Sequence, residues 1–147
     1  MTLRDTLVDE MKAAMKARDD VRVSAIRMVR SSVKNREIDL GKELDDLEVT
    51  EVIATLAKQR RESIKLFQEA GRSDLVQKEE RELTILLDFL PRQLDSGEIA
   101  DIVAGAIAEC GARGPGDMGK VMKVVMPRIS GRADGKAVSE IVRGMLS

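Results

Sequence analysis

Several stretches of this 147-residue sequence hold residue types that can do chemistry. Gly114-Pro115-Gly116-Asp117-Met118-Gly119-Lys120 fits both G-x-x-x-x-G-K and G-x-G-x-x-G, the patterns whose backbone cradles phosphates. Val121 stands where a phosphate loop needs Ser or Thr to hold magnesium. The preceding stretch has helical periodicity, whereas both nucleotide motifs follow a strand. The glycines therefore read as a helix start, whose free N–H groups beside Lys120 suit at most a single phosphate. Ser31-Ser32-Val33-Lys34 fits S-x-x-K, without the companion motifs of the penicillin-binding enzymes. Cys110 falls at the C-terminal end of a predicted helix, where the dipole disfavours thiolate, and the chain has no histidine to activate it. Glu79, Glu80 and Glu82 offer carboxylates for acid–base work. Lys78 and Arg81 neutralise them locally, as on a solvated helix face. Without histidine, and with one cysteine, the usual zinc ligand sets are excluded. No residue is assigned a catalytic role, and no metal, nucleotide or other cofactor is expected.

The basic residues form a more informative pattern. Lys120, Lys123, Arg128, Arg132 and Lys136 bracket two predicted helix ends and a loop in the last third of the chain. Arg27, Arg30 and Lys34 make a second basic stripe on one helix face, and Lys58, Arg60, Arg61 and Lys65 crowd a third stretch. Phe67 and Phe89 are the whole aromatic supply, so base stacking cannot be a recognition mode. RNA would have to be read through phosphate, 2′-OH and shape. Against this stands a net charge of -1, which fits ordinary surface lysines and arginines as well.

The elements that must position these residues are helices. With 43% apolar and 1% aromatic residues, the core must come from Leu, Ile, Val, Met and Ala, a palette suited to helix-on-helix packing. The charged fraction of 35%, mixed in sign, describes a solvated helical surface. The single cysteine points to a reducing compartment. The N-terminus, MTLRDTLVDEMKAAMK, lacks the apolar core of a signal peptide, and no apolar run approaches the roughly 18 residues of a membrane span. These features lead to the expectation of a cytoplasmic protein with no membrane partner.

Along the chain, Thr2 with Asp5 reads as a capping box, and Leu3, Leu7, Met11 and Ala14 recur at helical spacing. Arg18-Asp19-Asp20 breaks the pattern. Ala25, Ile26, Val29 and Val33 stripe a second helix that stops near Gly41. Asp45 with Glu48 caps a third, with Val49, Val52, Ile53, Leu56, Ile64 and Phe67 inward. Gly71 stops it and Ser73 caps a fourth, which Pro91 ends. Beyond that proline the composition shifts toward Gly, Ala and Val, so the expected domains are 1–92 and 93–147. Asp95 and Glu98 cap a fifth helix ending at Gly111. Pro115 opens a sixth, ended by Pro127, and Asp134 caps a seventh with Val138, Ile141, Val142 and Met145 inward. The fold class is all-α: about four helices, then three.

Arg60 interrupts the apolar stripe of the third helix, and Glu79 and Glu80 that of the fourth. If these helices form an αα-hairpin about Gly71, Arg60 lies nearly level with Glu80. It then either meets Glu79 or Glu80 in a half-buried ion pair, or each side chain snorkels to water.

The whole pattern resembles the YqeY-like family, whose second half is similar to the tail domain of the B subunit of the tRNA-dependent amidotransferase. The matching stretches are Ile26-Arg27, Lys34-Asn35-Arg36-Glu37-Ile38, Lys58-Gln59-Arg60-Arg61-Glu62-Ser63, Gly71-Arg72-Ser73-Asp74-Leu75 and Leu90-Pro91-Arg92-Gln93-Leu94. Asp117-Met118-Gly119-Lys120-Val121-Met122, Met126-Pro127 and Gly131-Arg132-Ala133-Asp134-Gly135-Lys136 follow. The resemblance implies a helical N-terminal domain and a three-helix tail-like domain that engages tRNA while chemistry occurs elsewhere in a complex. The family association, a carbon–nitrogen ligase with glutamine as amide donor, comes without catalytic residues.

The leading expectation is thus a module that binds tRNA or structured RNA and is not catalytic by itself. Lys120, Lys123, Arg128, Arg132 and Lys136 would make the contacts, Gly119 would allow close approach, and Gly131 and Gly135 would shape the loop. The alternatives are an accessory factor joined to amidotransferase subunits, and a protein-interaction adaptor using Met118, Met122 and Met126.

Overall fold

A computed structural model of the chain describes residues 2–147. Its regular elements are helices: α1 (Leu3–Lys16), α2 (Asp20–Leu40), α3 (Asp46–Glu69), α4 (Ser73–Asp88), α5 (Ser96–Cys110), α6 (Met118–Ile129) and α7 (Gly135–Leu146), with a 3₁₀ turn at Pro115–Asp117. The fold is all-α, as expected from the apolar palette and the helical periodicity. The chain divides into two compact units, Met1–Pro91 and Arg92–Ser147. Among the described residues, no helix is long and apolar enough to cross a membrane.

Local chemistry sets most helix ends. Thr2 accepts a hydrogen bond from the Asp5 N–H, and Asp5 accepts one from the Thr2 N–H. Asp45 and Glu48 make the same reciprocal box at α3, and Asp95 caps α5 by accepting from the Glu98 N–H at 2.8 Å. Such caps satisfy donors that a helix start leaves free. At the end of α3, Gly71 takes φ +70°. Its N–H donates to the Gln68 carbonyl and that of Arg72 to the Phe67 carbonyl, closing a Schellman turn that sends the chain back into α4.

Two expected boundaries and one expected cap bond need correction. Ser73 is already the first residue of α4, and Arg72 holds the cap position without a side-chain cap bond. The turn at Gly71 uses up the residues that would have left Ser73 outside. Pro127 does not end α6, which runs on to Ile129. Position 127 is exposed and in the last turn, so water can take the carbonyl left without a donor. Asp134 occupies the cap position of α7, but its side chain makes no cap bond. Asp45→Ala should therefore cost about 1 kcal/mol of stability, whereas Asp134→Ala should cost less than about half that. Thermal unfolding followed by circular dichroism tests the contrast, and equal losses would refute it.

The core of the N-terminal unit joins Leu7, Ile26, Val29, Val33, Val49, Ile53, Leu86 and Phe89, all buried. Leu44, in the α2–α3 loop, is buried with them. Arg22 ties three helices together: it pairs with Glu10 and Asp88 at 3.1 Å and lies over the Phe89 ring. The core of the C-terminal unit is Ile99, Val103, Ala106, Val121, Val125, Ile129, Val138, Val142 and Leu146. Leu146 takes the inward place expected for Met145, which is exposed. Met118 and Met122 pack at the margin of this core, and Met126 faces out.

The α3–α4 hairpin brings Arg60 to two carboxylates. Its Nε lies 3.4 Å from Glu79 and 2.8 Å from Glu82, with all three side chains 16–18% exposed. The half-buried pair is present, but with Glu82 beside Glu79 in place of the expected Glu80, which is exposed. Residues 79 and 82 share a helix face, and residue 80 lies about 100° further round.

Candidate functional site

The five basic residues of the last third come from different elements of the C-terminal unit. Lys120 and Lys123 lie on the exposed side of α6, opposite the buried Val121, Val125 and Ile129. Lys120 reaches Asp117 only at 3.9 Å and stays 70% exposed. Arg128, near the end of α6, is turned to Glu109 of α5 and pairs with it at 2.6 Å, so its charge is partly spent. Arg132 lies half-buried in the loop before α7, and Lys136 is exposed in the first turn of α7. Among the described residues, Lys123, Arg132 and Lys136 form no ion pair.

A short extended strap shapes the loop that carries Arg132. The Gln93 side-chain amide donates to the Gly131 carbonyl, and the Leu94 N–H donates to the Arg132 carbonyl, both at 2.8 Å. Gly131 adopts φ +74°, a conformation that costs other residues about 1 kcal/mol or more. Arg92, which starts the strap, pairs with Glu98 at 2.5 Å and holds its carboxyl at about 2, well below the ordinary value. Gly135 has no such backbone requirement, and a Cβ there, or at Gly119, would meet open space. Nothing inside the protein requires glycine at 119.

The glycine-rich stretch forms the 3₁₀ turn and the start of α6, and it follows α5 rather than a strand. Asp117 accepts from the Arg113 N–H at 3.0 Å, so a carboxylate already occupies the turn that a phosphate would need. Cys110 is half-buried, with its sulfur 3.9 Å from the Ile107 carbonyl.

The second basic stripe lies in the other unit. Arg27, Arg30 and Lys34 are exposed along α2 and line a cleft between α1 and α2. Sequence reasoning had no means of finding this cleft, nor Gln93, Leu94 and Glu109 as partners in the other unit. Each depends on groups brought together from distant helices.

Comparison with known proteins places this architecture. The family model for the Yqey-like proteins matches residues 4–146, nearly the whole chain. The chain belongs to the YqeY-like family. Among curated relatives, the protein named altered inheritance of mitochondria protein 41, mitochondrial, from Lachancea thermotolerans is 42% identical over 85 residues, 57% of this chain and 46% of the relative. Its namesake in Eremothecium gossypii is 40% identical over 85 residues, with the same coverage. That of Saccharomyces cerevisiae strain YJM789 is 36% identical over 94 residues, 63% of this chain and 51% of the relative. The chain spans about half the length of the curated relatives it matches. Their mitochondrial designation overturns the expectation of a cytoplasmic protein. One cysteine separates a reducing from an oxidising environment, but not one reducing compartment from another.

Proposed function

We propose that this YqeY-like protein is a non-catalytic RNA-binding module that takes tRNA or another structured RNA on its C-terminal unit. The observation that carries the reading is the set of unspent cations there. Among the described residues, Lys123, Arg132 and Lys136 form no ion pair, and Lys120 has only a distant partner. Beside them Gly119, exposed and with no internal need to be glycine, leaves room for a backbone to approach α6 closely. The similarity of this half to the tail of the amidotransferase B subunit supports the same reading. With two phenylalanines as the only aromatics, both in the N-terminal unit, recognition rests on phosphate and 2′-OH contacts.

Fluorescence anisotropy against bulk tRNA and an unstructured RNA at two salt concentrations tests it. Binding should be tighter to tRNA and weaken with salt. Lys120→Ala with Arg132→Ala should weaken it about tenfold or more and reduce the salt slope by about one per lost contact. Glu109→Gln, which frees Arg128, should strengthen it. Absence of binding at low salt, or binding unchanged in the double variant, would remove the proposal.

A further inference from the structure

The α1–α2 cleft of the N-terminal unit has a volume of about 600 Å³. That lies within the roughly 300–1,000 Å³ of small-molecule sites. Its floor is apolar, made by the half-buried Val8 of α1, with the edges of the buried core residues Leu7, Val33 and Val49 beneath it. Its wall carries the cations Arg27, Arg30 and Lys34.

The charges of this cleft do not balance internally. Glu37 is held by the Arg4 guanidinium and accepts the Leu44 N–H at 2.9 Å, and these two keep its carboxyl below the ordinary range. Asp5 is committed to the capping box with Thr2. Arg4 and Glu37 thus cancel, and Asp5 is tied at the mouth. Arg27, Arg30 and Lys34 are left with no ion pair among the described residues. Arg30 reaches only the Met11 sulfur, at 3.5 Å. Other exposed cations of this unit, such as Lys58 and Lys65, also form no ion pair among the described residues, but Arg27, Arg30 and Lys34 line one cleft together. Unpaired cations over an apolar floor match a ligand with a charged head and an apolar body.

We propose that the cleft between α1 and α2 binds a small organic phosphate, its head met by Arg27, Arg30 and Lys34 and its apolar part resting on Val8 and the edges of Leu7, Val33 and Val49. A nucleic-acid backbone is the poorer occupant, because it would lay charge over an apolar floor and the cleft has no aromatic ring to stack a base. The site is independent of the RNA surface proposed for the C-terminal unit.

The test is a titration of the isotope-labelled full chain with hexyl phosphate, followed by amide chemical shifts. Inorganic phosphate, hexanol and a short RNA serve as comparison probes. Shifts should cluster in residues 4–8 and 27–37, and hexyl phosphate should bind more tightly than either of its halves. Arg27→Gln with Lys34→Gln should weaken binding about tenfold, a loss near 1.4 kcal/mol. Both positions are exposed, so the thermal unfolding curve should stay in place. The proposal fails if the shifts fall elsewhere, if hexyl phosphate binds no better than its halves, or if the double variant binds as before. It also fails if the RNA perturbs these amides more strongly than hexyl phosphate does.

Discussion

Ile53→Ala should destabilise the N-terminal unit by about 3–4 kcal/mol, the middle of the range for truncating a buried isoleucine. Ile53 has no exposed surface and lies in one cluster with Leu7, Ile26, Val29 and Leu86. The cluster has a single aromatic member, Phe89, at its margin with 8% exposure. No large flexible ring lies at its centre to swing into the space that alanine leaves. The measurement is urea unfolding followed by circular dichroism, since the chain has no tryptophan or tyrosine to report by fluorescence. The midpoint should fall while the slope stays constant. Leu47→Ala is the control. Leu47 is 59% exposed in the first turn of α3, and its loss should change stability by no more than about 0.5 kcal/mol. A cost at Ile53 under about 1 kcal/mol would mean that the helices close over the cavity, and that this core is less tightly interlocked than its burial implies.

The parts of the fold legible in the sequence are those that depend on residues three or four apart. Thr2 with Asp5 and Asp45 with Glu48 form the boxes their spacing predicts, and the apolar stripes of α2 and α3 face inward as their period requires. Errors begin where a local feature depends on backbone set elsewhere. Ser73 has the right chemistry for a cap, but the left-handed turn at Gly71 places it inside the helix. Leu44 is buried from a loop, where no period could reveal it. Pro127 reads as a stop in isolation and is tolerated because it falls in a last turn that faces water.

The candidate site divides along the same line. Lys120 and Lys123 are three residues apart on one helix, so their common exposure follows from the pattern that buries Val121 and Val125. The pairing of Arg128 with Glu109 joins α6 to α5 across 19 residues. The strap from Gln93 and Leu94 to the loop before α7 spans 38 residues in each bond. Neither leaves a periodic trace. The compartment was not legible at all, because a cysteine count reports on redox conditions and nothing finer.

Arg60→Ala should cost about 3 kcal/mol, more than any exposed ion pair in this protein would. The reason is what remains behind. Glu79 and Glu82 lie on one face of α4, each about one-sixth exposed, and without Arg60 their charges face each other with little water to screen them. Breaking a buried pair by removing one partner is far more costly than the pair's net contribution. The contacts are ionic rather than well-aligned hydrogen bonds. Neither the Arg60 Nε nor the nearer Glu79 oxygen completes a hydrogen bond, which keeps the expected loss at the lower end for buried pairs. Double-mutant cycles should give a coupling above about 1 kcal/mol for Arg60 with Glu82, at 2.8 Å, and a smaller one for Arg60 with Glu79, at 3.4 Å. Arg60 with Glu80 should show almost none, because Glu80 points to solvent. Replacing all three members together, Arg60→Met with Glu79→Leu and Glu82→Leu, should recover most of the loss, as apolar side chains of similar volume do in other buried triads. If the Glu82 coupling falls within the ~0.2–1 kcal/mol of surface pairs, the three side chains snorkel to water in solution. The α3–α4 hairpin would then be held by its apolar seam alone.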